Sequence, residues 1–144
     1  MMKTDTKITA LAHICLRTND FDATQRFYSD TLGFPIKFCF TRNGDLAGFY
    51  LEIADRQFIE FFYNDDPQPP AENAAFAHFC LETSDIEATR AKLAEAGYEP
   101  TEIKMGCDQS LQFWVADPNG VRFEFHQYTS ESMQFAGGSV EIDW

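Results

Sequence analysis

The chain has 144 residues, enough for one domain but not for two with separate cores. Its formal net charge of -12 opposes nucleic-acid phosphates and anionic lipid surfaces, which excludes both as partners, and no run approaches the roughly 18 apolar residues of a membrane span. A hydrophobic share of 44% with fifteen Phe excludes a disordered chain and points to an aromatic core or an aromatic-walled pocket.

The opening Met1-Met2-Lys3 has the outline of an export leader, but the apolar run after it is short and His13 interrupts it, so the chain reads as cytoplasmic. Cys15, Cys39, Cys80 and Cys107 show no CxxC spacing and read as reduced thiols, with Cys15 and Cys80 expected as small buried residues. Over 8–16 the apolar Ile8, Ala10, Ala12, Ile14 and Leu16 hold the even positions. Period two predicts a strand with that face on the core. Asn19-Asp20 predicts the cap of a helix with the stripe Phe21, Phe27, Tyr28 and Leu32, stopped by Gly33 and Pro35. Strands are predicted over 36–41 and 46–54 around Arg42-Asn43-Gly44-Asp45, then over 57–63 after a tighter turn at Asp55-Arg56.

Residues 64–74 are polar and contain three prolines, which predicts a stiff linker. Beyond it the pattern predicts a strand over 76–83 and a helix capped by Asp85 and ended by Gly97. Strands follow over 99–104, 111–116 and 121–127, the last two joined by Asp117-Pro118-Asn119-Gly120. The tail 129–144 is weakly patterned and is expected either as an arm across a partner subunit or as a loose end.

The two halves are copies. Ala12-His13-Ile14-Cys15-Leu16-Arg17-Thr18 returns 65 residues later as Ala77-His78-Phe79-Cys80-Leu81-Glu82-Thr83, and the identities continue through Asp20/Asp85, Ala23/Ala88 and Thr24/Thr89. The expected fold is therefore a single α+β domain of two βαβββ modules, about 7–63 and 75–128, whose sheets enclose a cleft in half-barrel fashion.

Four polar residues stand on the strand faces opposite the apolar ones: His13, Glu60, His78 and Glu124. The spacing repeats, at 47 residues from His13 to Glu60 and 46 from His78 to Glu124. A carboxylate between Phe58 and Phe62 is costly without a partner, and a divalent cation removes that cost. Imidazole nitrogen with carboxylate oxygen suits zinc, nickel, cobalt, iron or manganese.

Over 8–128 this layout resembles the vicinal oxygen chelate superfamily, which contains glyoxalase I, extradiol dioxygenases and bleomycin-resistance proteins. The resemblance implies a glyoxalase-like fold, one divalent ion per site held by His13, Glu60, His78 and Glu124, and a homodimer. A Glu at position 60 resembles bacterial glyoxalase I, the lactoylglutathione lyase type, and implies nickel, cobalt or zinc. Arg17 and Asn64, each four residues past a ligand, match positions that hold the glutathione moiety, so the implied substrate is the hemithioacetal of a 2-oxoaldehyde and a thiol. The implied reaction is isomerisation through a metal-stabilised enediolate. Glu124 and Glu60 move the proton as base and acid, each with a pKa shifted to suit that work. His126 is expected to pack or to tune the site, and Lys104 to help bind an anionic conjugate. Two alternatives share the fold: a ring-cleaving dioxygenase using iron or manganese, and a non-enzymatic antibiotic-binding module.

Overall fold

Asp20 and Asp85, at equivalent places in the repeat, each start a helix: one carboxylate oxygen accepts from the backbone N–H of Ala23 and of Ala88, at 3.0 Å in both. The computed structural model describes residues 6–144, so the leader-like opening Met1-Met2-Lys3 lies outside the described residues. The helices are α1 (Phe21–Gln25), continued by a π-helical turn over Arg26–Thr31, and α2 (Ile86–Glu95). The repeated threonines clasp each helix to the strand before it, with hydroxyl contacts of 2.8 Å for Thr18–Thr24 and 2.7 Å for Thr83–Thr89.

Strands β1 (His13–Thr18), β2 (Ile36–Arg42), β3 (Asp45–Ala54) and β4 (Gln57–Tyr63) form a sheet in the order β1-β4-β3-β2. Strands β5 (Cys80–Glu82), β6 (Lys104–Met105), β7 (Leu111–Ala116) and β8 (Arg122–Gln127) form a second in the order β5-β8-β7-β6. In each sheet the first strand runs parallel to the last and the other pairings are antiparallel. Both halves are thus βαβββ, an α+β architecture. Asn43 at φ 53° and Gly44 at φ 86° make the left-handed pair that a two-residue hairpin between β2 and β3 requires.

Three expected elements differ. β1 begins at His13, not at residue 8, and Ile8 and Leu11 are exposed. Its partner sets that limit: β4 starts at Gln57, and the carbonyl of Ala12, accepting from Phe58 N at 3.0 Å, is the last rung. β5 covers only three residues of the expected 76–83, and Phe76 and Ala77 are exposed. The strand expected over 99–104 is reduced to Lys104–Met105, because Pro100 has no N–H for a ladder. Ahead of that pair Thr101 holds the stretch to β7, through 2.8 Å bonds from its N–H to the Trp114 carbonyl and from Trp114 N–H to its hydroxyl.

Through residue 136 the tail is not a loose end but packs on its own chain. The Thr129 hydroxyl donates to the Gln109 carbonyl at 2.7 Å and the Ser132 and Ser110 hydroxyls meet at 2.9 Å. Gln134 Nε2 donates to Asp108 at 2.6 Å, and the segment ends in α3 (Met133–Ala136).

One core serves both sheets. Phe49, Leu51, Ile59 and Phe61 enter it from the first and Phe113, Val115, Phe123 and Phe125 from the second. The π-helical turn joins them. Phe27 lies edge-on to Tyr98 at 4.7 Å and to Phe123 at 6.1 Å, and Tyr28 packs on Phe61 at 5.0 Å. Fully buried, Tyr28 donates its hydroxyl to Asp117 Oδ2 at 2.8 Å in the turn between β7 and β8. Asp117 Oδ1 accepts from Asn119 N at 2.8 Å and Val121 N at 3.0 Å, and Asn119 Nδ2 reaches back to Thr24 Oγ1 at 3.2 Å. Burial pushes the Asp117 carboxyl above its ordinary value despite these donors, and burial with the Asp117 charge pushes the Tyr28 phenol well up. Among the described residues no helix is long and apolar enough to cross a membrane.

Candidate functional site

With Ile59, Phe61, Phe123 and Phe125 committed to the core, strand alternation sends the residues between them to the other face. On β4 that face carries Phe58, Glu60 and Phe62, and on β8 it carries Arg122, Glu124 and His126. An imidazole meets the central glutamate in each half: His13 Nε2 lies 3.4 Å from Glu60 Oε1, and His78 Nε2 lies 3.2 Å from Glu124 Oε1. Two ligand atoms each about 2.1 Å from one ion stand about 3.0 Å apart at a right angle and about 3.4 Å at the tetrahedral angle. Both pairs have that separation and the nitrogen–oxygen chemistry of a divalent site, so the residues fit such an ion. Within one chain the two pairs remain apart. Among the described residues the only three-ligand cluster within 4.8 Å is Cys80, Glu124 and His126.

The surroundings of the two pairs differ. His13 faces the Tyr50 ring at 5.7 Å, and Tyr50 stacks on Phe38 at 4.7 Å and leans on Phe58 at 5.5 Å, while Phe40 stacks on Phe62 at 4.8 Å. This is the expected aromatic wall. His78 instead meets Trp114 edge-on at 4.6 Å, and the Arg122 guanidinium lies 4.4 Å over the same indole. His126 Nε2 stands 3.2 Å from Glu124 Oε2. Burial raises the Glu124 carboxyl, but the imidazoles of His126 and then His78 outweigh it and hold it below the ordinary carboxylate range. The sequence predicts a value suited to proton transfer on a metal-held carboxylate; in the structure the two neighbouring imidazoles favour the charged form. Glu124 in turn holds the His126 imidazole above its ordinary value against the effect of burial.

Arg17 and Asn64 do come together, lining one open cleft of about 490 Å³ with Cys15, Pro67 and Phe76. Asn64 Oδ1 accepts from Asp66 N at 3.0 Å, which folds the linker into a wall of that cleft. Lys104 lies in a different depression, beside Arg122 and Trp114, away from Arg17. Cys15 and Cys80 are exposed, contrary to the expectation of buried filler, because they stand on the open face with the histidines. The structure also gathers Cys80 and His126 around Glu124, with Asp108, which the sequence does not single out, behind His126. The signal available was the period-two position of Cys80 after His78 and of His126 after Glu124.

Comparison with known proteins agrees with this architecture. The chain is 28% identical over 128 residues to "Probable lactoylglutathione lyase, chloroplastic" of Arabidopsis thaliana, in an alignment covering 79% of this chain and 34% of that protein. It therefore spans about a third of that relative's length. Among solved structures, a glyoxalase family protein from Enterococcus faecalis superposes with a TM-score of 0.66 at 25% identity, covering 83% of this chain and 97% of that one. The fosfomycin resistance protein FosX from Listeria monocytogenes superposes with a TM-score of 0.67 at 17% identity, covering 86% and 97%, a likeness of fold alone. A family model matches residues 10–125, most of the sequence and both His–Glu pairs, and the chain accordingly belongs to the glyoxalase/bleomycin resistance protein/dioxygenase superfamily.

Proposed function

We propose that this chain is a metal-dependent lyase of the glyoxalase I type, which isomerises the hemithioacetal of a 2-oxoaldehyde and a thiol such as glutathione. One observation carries the reading: a histidine Nε2 and a glutamate Oε1 stand at ligand separation on the open face of each half, 3.4 Å and 3.2 Å apart. His13, Glu60, His78 and Glu124 would hold the ion, with nickel, cobalt or zinc suited to that set. When bound, a divalent ion supplies Lewis-acid stabilisation of negative charge developing on the substrate oxygens. A second copy of the chain, bringing its other half opposite, unites the two pairs, and a homodimer is the assembly this requires. Elution as a strict monomer, with the metal bound, overturns that part.

The proton work falls to this chain's carboxylates. Glu124, held ionised by its neighbouring imidazoles, takes the proton from the carbon bearing sulfur, and Glu60 serves as acid at the adjacent carbon. The thioester product has the same atoms as the substrate, so no redox partner is needed. Arg17, which lines a cleft with Asn64, would offer a planar cation to a carboxylate of the thiol moiety. Free thiols at all four cysteines fit a reducing compartment such as the cytoplasm. The test is formation of lactoylglutathione from methylglyoxal and glutathione by protein loaded with nickel, cobalt or zinc. No turnover with any of them sinks the reading.

A second reading draws on β8, where two imidazoles flank one carboxylate. Ring-cleaving dioxygenases use such a triad with ferrous iron, and oxygen uptake with a catechol tests it. The aromatic wall around Tyr50 favours a third, sequestration of an aromatic antibiotic without turnover, which metal-independent binding would support.

A further inference from the structure

The second half carries a donor set that the first half lacks and that shares only Glu124 with the paired His–Glu ligands. Sγ of Cys80, a carboxylate oxygen of Glu124 and a ring nitrogen of His126 lie within 4.8 Å of one another. Neighbouring strands bring them together: Cys80 on β5 is the register partner of Glu124 on β8, and His126 follows two residues later on the same face. In the first half the equivalent positions hold Cys15, Glu60 and Phe62, so the third donor is missing there.

His126 is the telling member. The residue is only 8% exposed, and its Nε2 is buried with no hydrogen-bond partner although Glu124 Oε2 is 3.2 Å away. Two such atoms at that separation, with no hydrogen bond aligned between them, have the arrangement of two ligands turned toward one cation. The far side of the ring faces a second carboxylate. Nδ1 faces Asp108 Oδ2 at 4.0 Å, and Asp108 is itself fixed by Gln134 Nε2 at 2.6 Å and Ser110 N at 3.1 Å. A carboxylate that closes to hydrogen-bond distance behind a ligating imidazole would keep the proton on the outer nitrogen and aim the inner lone pair.

We infer that Cys80, Glu124 and His126 form a thiolate-containing site for a borderline-soft divalent ion such as zinc, complete within one chain. On binding, the Cys80 thiol gives its proton to solvent and its sulfur to the ion. Exposed, Cys80 can turn toward the ion without disturbing the core. Because Glu124 belongs both to this set and to the His–Glu set proposed above, an ion in one denies the carboxylate to the other. Ions that favour sulfur, zinc above all, load the single-chain site, whereas manganese or magnesium do not.

The test uses the full-length, metal-free, reduced chain titrated with cobalt(II). Ligation by sulfur produces a thiolate-to-cobalt charge-transfer band in the near ultraviolet, which a set of imidazoles and carboxylates lacks. The expected result is a band that saturates at one equivalent per chain and is displaced by zinc. It persists in Cys15→Ser and in the double variant His13→Ala/Glu60→Gln, and it is absent in Cys80→Ser. His126→Phe, which installs the residue of the first half, and His126→Gln both weaken cobalt binding at least about tenfold, with far-ultraviolet circular dichroism confirming that each variant folds. The proposal is overturned if cobalt binds without the band, if the band survives Cys80→Ser, or if it depends on Cys15 or His13. It is equally overturned if no ion binds the double variant, leaving only a protonated His126 beside Glu124. Failure of lactoylglutathione formation alone leaves these readouts untouched, so the two proposals fail separately.

Discussion

β4 and β8 hold the same place in their sheets, and their core faces are alike: Ile59 and Phe61 on one, Phe123 and Phe125 on the other. Their open faces are not. Phe58-Glu60-Phe62 lies among Tyr50, Phe38 and Phe40, whereas Arg122-Glu124-His126 lies among Trp114, Cys80 and Asp108. Duplication has kept the parts that fold the chain and the His–Glu pair. It has let the rest of the two open faces diverge, one aromatic and the other polar. In the proposed homodimer, a substrate between two such faces would meet an apolar surface on one side and charge on the other.

The largest expected effect separates the two glutamates. On the proposed reading, Glu124→Gln lowers kcat for lactoylglutathione formation about 10²–10⁴-fold, and Glu60→Gln, where Phe62 replaces the neighbouring His126, lowers it less. Equal losses in steady-state kinetics erase the distinction between the faces. Next comes the likeness of the core faces. Phe123→Ala, emptying a fully buried site that touches Phe27, Tyr28 and Phe79, costs about 3–5 kcal/mol. Urea unfolding of that variant stays a single transition, and two resolved transitions break the picture of one shared core. Tyr28→Phe deprives buried Asp117 of a donor and costs about 1–3 kcal/mol.

That same pair sets a pH dependence. The folded Asp117 carboxyl titrates above its ordinary value of 3.8 because it is buried, so the folded chain binds the proton more readily than the unfolded one. Its contribution to stability is full below 3.8 and is lost as pH rises through the higher folded value. Asp117→Asn removes this decline, and the difference in unfolding free energy from the parent chain, followed by denaturant titration upward from pH 3.8, grows in favour of the variant as pH rises. A flat difference contradicts the assignment. The smallest effect sharpens the likeness instead: Asp20→Ala and Asp85→Ala each remove one cap at 3.0 Å and cost about 1 kcal/mol apiece.

Caps, turns and alternation were legible because they are local. Asp20, Asp85, Asn43-Gly44 and the apolar faces of β4 and β8 act where they stand in sequence, and the structure has them as expected. Strand length was not: β1 stops where its partner stops, and no residue between 8 and 12 records where β4 begins. The docking of the tail rests on Ser132, Gln134 and Thr129 reaching Ser110, Asp108 and Gln109. Such polar contacts carry no period to read. The histidines and glutamates were legible as a repeated spacing. Their grouping into two separate pairs within a chain depends on how the sheets meet, which no spacing encodes.

The crossing of Phe27 and Tyr28 from the first half into the second makes the polypeptide bridge between the halves mechanically redundant. A chain nicked at Pro67–Pro70 would stay one particle, its two fragments held by interlocked rings and a buried phenol–carboxylate bond. Either fragment expressed alone would expose the aromatic surface that the other is shaped to cover.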